Sequence, residues 1–382
     1  MKRDDTIEGY RIISEPTNAN GGKCIWAFAE KDGQEFFLKQ FLEPKRPREG
    51  ADPTKPSVRI RLEVCQEFED RHRGIMKQLR PDTGGGGNIV LALDFFSQGS
   101  TYYKVTERIN TSTLEKPQSL EPRHKAVLLR TLALSLQQLH NIDVVHGDLK
   151  PLNVLIQKRE GAAFHSARLI DFDDSYMSGK PPGPQDIVGD SLYGAPEWRR
   201  YVQEDGAVGR EHLGCPVDIF ALGLMTHYYL TGAPPRYADR YGSPADAVIA
   251  GEDLAIDPRL SGTMQGLVRA MTSRAPGKRP RVAAYLAALS DPQVCALQAP
   301  RPGTTKPGAA ASEQGTEPRT SRIRTNLKDT GDRTSTSPSS RRPSAAAPAT
   351  SPGSGTPESA TPGATPPKVS RVRINLRGKS NP

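Results

Sequence analysis

Short runs rich in apolar and β-branched residues dominate the first hundred positions of the chain. Runs of this kind predict β-strands, and they occupy residues 10–13, 24–30, 34–41, 88–96 and 101–109. The second and third runs flank Lys31-Asp-Gly33, and Asp-Gly between two such runs is typical of a tight β-hairpin. The chain therefore begins with mostly β-structure.

Helical periodicity replaces the strand pattern in three longer stretches. Residues 58–80 carry an apolar stripe, which predicts one long amphipathic helix within the β-rich half. Residues 122–140 repeat leucine at helical spacing, and residues 217–230 are apolar nearly all round, which indicates a buried helix. A β-rich half with one long helix, followed by a mainly helical half, predicts an α+β fold.

Residues 297–382 show neither pattern. They are rich in Pro, Ser, Thr, Ala and Gly and contain no Phe, Tyr or Trp. Because such a segment cannot bury enough apolar surface to offset the entropy of ordering it, we expect a disordered tail. The tail holds 14 Lys and Arg against 5 Asp and Glu, which accounts for the whole formal charge of +9. The residues before it are electrically balanced. A basic tail could meet nucleic acid, a membrane surface or an acidic partner, or be a linker kept soluble by its charge. We do not expect nucleic acid as a partner.

The tail contains one internal repeat. Residues 321–328, from Ser321 to Lys328, are echoed by residues 370–377, from Ser370 to Arg377. Alternating basic and β-prone residues could add a strand to the sheet edge of a partner protein, which makes the repeats a candidate docking site. Chance similarity in a biased sequence is the alternative. Nearby Ser-Pro and Thr-Pro pairs are candidate phosphoacceptors.

The spacing of the cysteines and the length of the apolar runs indicate the cellular compartment of the protein. Cys24, Cys65, Cys215 and Cys295 are scattered without C-x-x-C spacing, so we expect neither a disulfide framework nor a zinc site. The first residues lack the apolar core of a signal peptide, and no apolar run approaches the ~18 residues of a membrane helix. We therefore expect a cytoplasmic protein without a membrane segment.

Two segments carry most of the candidate chemistry. The first is His146-Gly-Asp148-Leu-Lys150-Pro-Leu-Asn153, and the second is Asp171-Phe-Asp173. Phosphoryl transfer from ATP needs metal ions on the phosphates and a carboxylate beside the attacking hydroxyl, and little covalent help. A carboxylate, a lysine, a carboxamide and a second carboxylate at these spacings supply those groups.

These segments resemble the catalytic loop and the metal-binding motif of the protein kinase superfamily, and the resemblance covers residues 8–290. It implies that Asp148 is the base that orients the substrate hydroxyl and that Lys150 steadies the transferred phosphoryl group. It also implies that Asn153 and Asp171 bind Mg²⁺, with Mn²⁺ as an alternative. The implied fold is two-lobed: a β-rich N-lobe at 1–108, a mainly helical C-lobe at 109–296 and the disordered tail at 297–382.

Three further segments resemble elements that protein kinases keep and that small-molecule kinases lack. They are Gly194-Ala-Pro-Glu197, Asp218-Ile-Phe-Ala-Leu-Gly223 and Arg279-Pro280. A carboxylate on an all-apolar helix is costly unless it is bonded, so we expect Asp218 to accept backbone N–H groups of the catalytic loop. We expect Glu197 and Arg279 to form a partly buried bidentate pair.

The N-lobe motifs concern the nucleotide. Lys39 lies in an otherwise apolar strand, where an ammonium group needs an anionic partner such as the phosphates of ATP. It resembles the ATP-binding lysine of the family. The resemblance places Thr106 as the gatekeeper and implies that Glu107 and Ile109 offer backbone hydrogen bonds to adenine. Leu155 would lie beneath the purine ring.

Two N-lobe features depart from the family pattern. Gly21 and Gly22 stand at the tip where the family has a longer glycine-rich loop over the phosphates. The helix glutamate that pairs with the ATP-binding lysine is missing from the family spacing, which falls on His72. We expect Glu69, one turn earlier, to take this role.

We therefore predict a bacterial-type serine/threonine protein kinase that transfers the γ-phosphoryl group of ATP to a protein substrate and also to itself. Ser and Thr are preferred over Tyr because Lys150 follows Asp148 by two residues, as in the Ser/Thr branch of the family. Two alternatives stay open. One is a small-molecule phosphotransferase of the aminoglycoside or choline type. The other is a pseudokinase scaffold that binds partners through its tail.

Overall fold

The computed structural model describes residues 1–19, 22–79, 88–111, 114, 116–158, 161 and 163–299. Both tail repeats lie outside the described residues. Six strands of the N-lobe form one antiparallel sheet. They are β1 (Thr6–Ile7), β2 (Tyr10–Ile12), β3 (Cys24–Lys31), β4 (Gln34–Phe41), β5 (Ala92–Gln98) and β6 (Thr101–Glu107). Their order in the sheet is β1-β2-β3-β4-β6-β5.

The hairpin of β3 and β4 sets the register of the sheet. Its turn is made by Asp32 at φ 52° and Gly33 at φ 75°, two successive left-handed residues of the kind that a type I′ hairpin requires. The hairpin expected from Asp-Gly is confirmed. On its other edge β4 pairs with β6, and this register places Lys104 directly opposite Lys39.

Helix α1 (Pro56–Gln78) packs its apolar stripe against the sheet. Its buried side chains recur at helical spacing: Cys65, Phe68, His72 and Ile75. The Phe68 ring meets Phe41 of β4 edge-on at 5.0 Å, and the His72 ring stacks on Phe95 of β5 at 4.9 Å. These ring contacts fix the rotation of α1 about its own axis. That rotation decides which of its side chains face the C-lobe.

The C-lobe is mainly helical. Its helices are α2 (Pro122–Asn141), α3 (Pro196–Val202), α4 (Pro216–Thr231), α5 (Pro244–Ile249), α6 (Gly262–Met271) and α7 (Val282–Ala288). Two short antiparallel pairs carry the loops of the candidate site. They are β7 (Val144–Val145) with β10 (Tyr176–Met177), and β8 (Val154–Gln157) with β9 (Ser166–Leu169).

The core of the C-lobe forms around α2 and α4. The predicted leucine stripe of α2 is fully buried at Leu128, Leu132, Leu136 and Leu139. Helix α4 is buried on nearly all sides, as its uniformly apolar sequence predicts. Both helices begin and end within two residues of the predicted bounds. The two-residue strands β1 and β10 were not predicted, because two residues carry no readable alternation.

Backbone hydrogen bonds join the two lobes beside β9. The N–H of Val90 donates to the carbonyl of Leu169 at 2.9 Å, and the N–H of Leu169 donates to Asn88 at 2.8 Å. Ser135 of α2 also donates to the Asn88 carbonyl at 3.0 Å. Because β9 ends two residues before Asp171, these bonds fix the start of the candidate metal-binding segment against both lobes.

The folded part extends slightly beyond the predicted boundary. Leu297, assigned above to the tail, forms a β-bridge with Leu260, and the N–H of Gln298 donates to the Arg259 carbonyl at 2.7 Å. The C-lobe therefore continues at least to Gln298. Within the described ranges, no helix is both long enough and apolar enough to cross a membrane.

Candidate active site

A cavity of about 1310 Å³ lies between the two lobes. Predicted site residues line it from both sides: Gly22, Lys39, Thr106, Glu107 and Ile109, and Lys150, Asn153, Leu155 and Asp171. Asp148 is only 2% exposed and is bonded to two of these lining residues, as described below. Gly21 lies outside the described residues. The structure thus gathers around one cavity the residues that the sequence indicated one motif at a time.

The loop after β7 arranges its polar side chains around Asp148. Lys150 Nζ lies 2.9 and 2.8 Å from the two carboxylate oxygens of Asp148. Asn153 Nδ2 donates to Asp148 Oδ2 at 3.0 Å and to the Asp148 carbonyl at 2.7 Å. Lys150 Nζ is also 3.5 Å from a carboxylate oxygen of Asp190. These contacts fix the orientation of the Asp148 carboxylate.

Asp218, in the first turn of α4, holds the same loop in place. Its Oδ2 accepts the backbone N–H of His146 at 2.8 Å, and its Oδ1 accepts that of Gly147 at 3.1 Å. The Nε2 of His140 lies 3.0 Å from Oδ2. The prediction that this buried carboxylate bonds to the backbone of the catalytic loop is confirmed.

Gly147 is a position in this loop where a substitution is poorly tolerated. Its φ is 80°, and an added Cβ would lie 2.7 Å from the carbonyl oxygen of Asp174. A side chain is strained at such a φ, and here it would also meet backbone. Glycine therefore lets the catalytic loop pass close to the segment that follows Asp171.

Glu197 and Arg279 form the expected bidentate pair. Arg279 Nη1 lies 2.6 Å from Glu197 Oε1, and Nη2 lies 2.8 Å from Oε2. Arg279 also donates to the carbonyls of Pro216 at 2.8 Å and Ser273 at 2.9 Å. The prediction is confirmed, and the pair is almost fully buried rather than partly. It ties the start of α3 to α4 and to the turn after α6.

Lys39 reaches across the cavity to the C-lobe. Its Nζ lies 2.8 Å from Asp171 Oδ1 and 2.6 Å from Asp173 Oδ2. Burial by itself would lower the pKa of Lys39, but the charges of Asp171 and Asp173 outweigh it and hold that pKa well above its ordinary value. The cavity therefore contains a permanently charged ammonium group beside the candidate metal ligand.

Comparison with known proteins gives the family. The family model described as the protein kinase domain matches residues 63–289, which is more than half of the chain. The chain belongs to the protein kinase family. The match begins within α1 and includes the loop around Asp148, the Asp171 segment and Arg279.

Two curated relatives of this kinase domain are plant kinases. Over 304 residues it is 31% identical to calcium-dependent protein kinase 6 of Oryza sativa subsp. japonica, covering 74% of this chain and 51% of the relative. Over 253 residues it is 34% identical to calcium-dependent protein kinase 8 of Arabidopsis thaliana, covering 65% and 42%. The chain spans about half, or less, of the length of these relatives. Since they are plant proteins, the bacterial-type interpretation has no support.

The kinase domain does not use Glu69 as predicted. Glu69 Oε1 accepts a hydrogen bond from the Tyr102 hydroxyl at 2.7 Å and lies 3.5 Å from Arg46 Nη1. The rotation of α1 directs Glu69 toward β6 and turns His72, three residues later, toward the cavity. The expected pair of Glu69 with Lys39 is therefore wrong, and the family spacing that falls on His72 located the correct helix position.

Sequence reasoning missed one charged residue of the site, Lys104, and named Asp173 only as part of the Asp171-Phe-Asp173 motif. Lys104 Nζ lies 2.7 Å from Asp173 Oδ1, and both side chains are mostly buried. A signal for Lys104 was present, because it is a lysine within the apolar run of β6, the same signal that identified Lys39. Nothing in the sequence indicated that the two lysines would share one carboxylate.

The predicted hinge lies at the end of β6. The carboxylate of Glu107 contacts the guanidinium of Arg168 on β9, which links the hinge to the strand before Asp171. Thr106 and Ile109 line the cavity with Glu107. Their contacts with adenine stay predictions.

The residues around Asp171 fit a magnesium ion that arrives with phosphates. Because Asn153 Nδ2 is used in donating to Asp148, its amide oxygen is the atom available to ligate a cation. Asp171 lines the same cavity, and Mg²⁺ in kinases is typically held by one or two such protein oxygens together with phosphate. No cluster of three or more His, Cys, Asp or Glu suited to a metal occurs in the described ranges. Lys39 moreover already balances charge at Asp171. Phosphate oxygens of the nucleotide would therefore complete the coordination of the magnesium ion.

Proposed function

We propose that this kinase domain transfers the γ-phosphoryl group of ATP to Ser or Thr hydroxyls of a protein substrate. One observation carries the proposal: Asp148 is bonded to Lys150 and Asn153, and these two residues line the same cavity in which Lys39 meets Asp171. A base for a hydroxyl, an ammonium group for phosphates and a cation ligand are thus within one site.

In the proposed reaction the substrate hydroxyl oxygen bonds to the γ-phosphorus while the bond to the β,γ-bridging oxygen breaks and ADP leaves. The hydroxyl proton passes to a carboxylate oxygen of Asp148. Lys150 Nζ, held against Asp148, lies where it can neutralise charge on the transferred group. Asn153 and Asp171 would hold Mg²⁺ or Mn²⁺, which supplies neutralisation of the phosphate oxygens when bound.

The preference for a protein acceptor rests on the family and on the Glu197–Arg279 pair, an element that small-molecule kinases lack. The preference for Ser and Thr rests on Lys150, two residues after Asp148. Self-phosphorylation is part of the proposal because the tail carries Ser-Pro and Thr-Pro pairs that could accept phosphate. A pseudokinase scaffold is the second candidate, since Lys39 pairs with Asp171 and Asp173 while the predicted glutamate of α1, Glu69, bonds to Tyr102. The assay below separates the two.

Substituting Asp171 with alanine should lower the rate of phosphoryl transfer by about 10²-fold. The site would lose one ligand of the metal ion that neutralises charge in the transition state. The full chain is incubated with radiolabelled ATP and Mg²⁺ or Mn²⁺, and label is followed in the chain and in a generic protein acceptor. Phosphoamino acid analysis distinguishes Ser and Thr from Tyr. Asp32→Asn, at the exposed hairpin turn, is the matched control and should behave as the wild type. A wild type without transfer to either acceptor would establish the pseudokinase.

We further propose that the tail is a docking and phosphorylation arm. Its basic repeats at Ser321–Lys328 and Ser370–Arg377 suit an extended partner interaction, and its Ser-Pro and Thr-Pro pairs suit phosphorylation.

The four cysteines are free thiols, which fits the reducing cytoplasm.

Deleting residues 300–382 should leave turnover of a short peptide within about twofold, since Leu297 and Gln298 keep their contacts with the C-lobe. Steady-state kinetics of the truncated and full chains measure this. A tenfold loss of peptide turnover would show that the tail serves the catalytic domain itself.

A further inference from the structure

Asp173 contacts two lysines in the cavity. Its Oδ2 lies 2.6 Å from Lys39 Nζ, and its Oδ1 lies 2.7 Å from Lys104 Nζ. The three side chains are 13%, 12% and 9% exposed, respectively. Burial alone would raise the pKa of Asp173, but the ammonium groups of Lys104 and Lys39 hold it well below its ordinary value. Asp173 therefore lies between two lysines, with one on each carboxylate oxygen.

We propose that Asp173 is the positioning residue that holds Lys39 against the nucleotide phosphates, the task for which the sequence predicted a glutamate of α1. This inference rests on the proposed function, because it concerns ATP bound in the same cavity. Its consequence is that the placement of Lys39 is set by the C-lobe segment of Asp171 and Asp173 and not by an ion pair with α1.

The register of the sheet explains why a carboxylate is needed at this place. Lys39 and Lys104 are direct cross-strand partners on β4 and β6, and like charges directly opposite each other are destabilising. Asp173 accepts one lysine on each oxygen, so it separates the two ammonium groups and gives each a fixed direction. Lys104 in turn fixes the rotation of the Asp173 carboxylate and leaves Oδ2 for Lys39.

Asp171 cannot perform this task alone once the nucleotide is bound. It is the candidate metal ligand, and a cation at its carboxylate competes with Lys39 for the same charge. Asp173 keeps both of its lysines in that state, so it becomes the principal carboxylate on Lys39.

Helix α1 contributes the His72 ring here. The Nδ1 of His72 lies 2.9 Å from the Phe68 carbonyl, which favours the tautomer with hydrogen on Nδ1. The Nε2 of His72 lies 3.6 Å from Asp173 Oδ1, beyond hydrogen-bond distance. Burial lowers the pKa of His72. The ring therefore covers Asp173 from the side of α1.

The ³¹P spectrum of a bound β,γ-imido analogue of ATP with Mg²⁺ tests the proposal in the full chain, because it reports the contact of Lys39 with phosphate without turnover. Lys39→Met defines the spectrum without the ammonium group. Asp173→Asn should give shifts like those of Lys39→Met and a kcat lowered by about 10²-fold, the cost of a misplaced group. The KM of the protein acceptor should stay within about threefold, since Asp173 does not touch the acceptor in the proposed reaction.

Two further variants separate positioning from charge balance. Lys104→Met removes the lysine on Oδ1 but leaves Asp173 ionically paired with Lys39, so its spectrum should lie closer to the wild type than to Lys39→Met. The double variant Asp173→Asn with Lys104→Met leaves no unpaired Lys104, which protects the fold, and should still resemble Lys39→Met. Recovery of the wild-type spectrum in the double variant would overturn the proposal, because Asp173 would then only neutralise Lys104. If the wild type bound the analogue normally but transferred no phosphoryl group from ATP, the proposed function would be wrong. The ³¹P spectra would still test this inference.

Discussion

Substituting Asp148 with asparagine should lower kcat by about 10³-fold, within the range that a positioned general base contributes. Asparagine keeps the shape of the side chain and can still contact Lys150 and Asn153, so the loop should retain its geometry. It cannot accept the proton of the substrate hydroxyl. Because the change affects the chemical step, the KM values for ATP and for the protein acceptor should change less than tenfold.

The measurement is steady-state phosphoryl transfer together with a thermal melt of each variant. Asp143→Asn is the matched control, since Asp143 precedes the same loop, is exposed, and has a φ of 54° that asparagine tolerates. It should keep the wild-type kcat. If Asp148→Asn retained more than a tenth of the wild-type kcat with an unchanged melt, another group would have to accept the proton.

The cost of burying charge made parts of the site predictable from sequence. Asp218 lies in a helix that is apolar nearly all round, and Lys39 lies in an apolar strand, so each required a partner. For Asp218 the partners could be named, because the neighbouring loop has N–H groups to donate. For Lys39 the sequence indicated only that the partner is an anion.

The identity of the partner of Lys39 depends on packing that no local pattern records. Glu69 and His72 are three residues apart on α1, and a modest rotation of the helix would exchange their directions. The rotation is set by the rings of Phe68 and His72 against three aromatic residues of the sheet, Phe41, Phe95 and Tyr102. The Tyr102 hydroxyl then donates a hydrogen bond to the Glu69 carboxylate. These are long-range contacts, and a stripe of apolar positions does not determine them.

The role of Asp173 was hidden for a different reason. A carboxylate two residues after a metal ligand has several uses, and its direction follows from the backbone of the loop. Asp171 has a φ of 66°. This is a left-handed conformation that the sequence alone does not predict for an aspartate. Together with the register that sets Lys39 opposite Lys104, that backbone brings the Asp173 carboxylate between two lysines.

Substituting Arg279 with methionine should lower the free energy of unfolding by about 3–5 kcal/mol, the typical cost of removing one partner of a buried ion pair. The Arg279 side chain has no exposed surface, and Glu197 would keep its charge in a site that is 5% exposed. The carbonyls of Pro216 and Ser273 would also lose their donor. Urea unfolding measures the change, and Arg200→Met provides the control. Arg200 pairs with Asp205 in the same region, but that pair is partly exposed, so its loss should cost less than about 1 kcal/mol.

A double-mutant cycle with Glu197→Gln identifies the origin of this cost. If most of it comes from the uncompensated charge of Glu197, the double variant should be more stable than Arg279→Met alone, because replacing both charges of a buried pair is often nearly neutral. If the double variant were as unstable as the sum of the two single variants, the charges would not be coupled. The stability would then come from the donors that Arg279 gives to the two carbonyls. The bidentate geometry, with oxygens at 2.6 and 2.8 Å, favours strong coupling, since charge-assisted pairs of this form are the strongest hydrogen bonds of side chains.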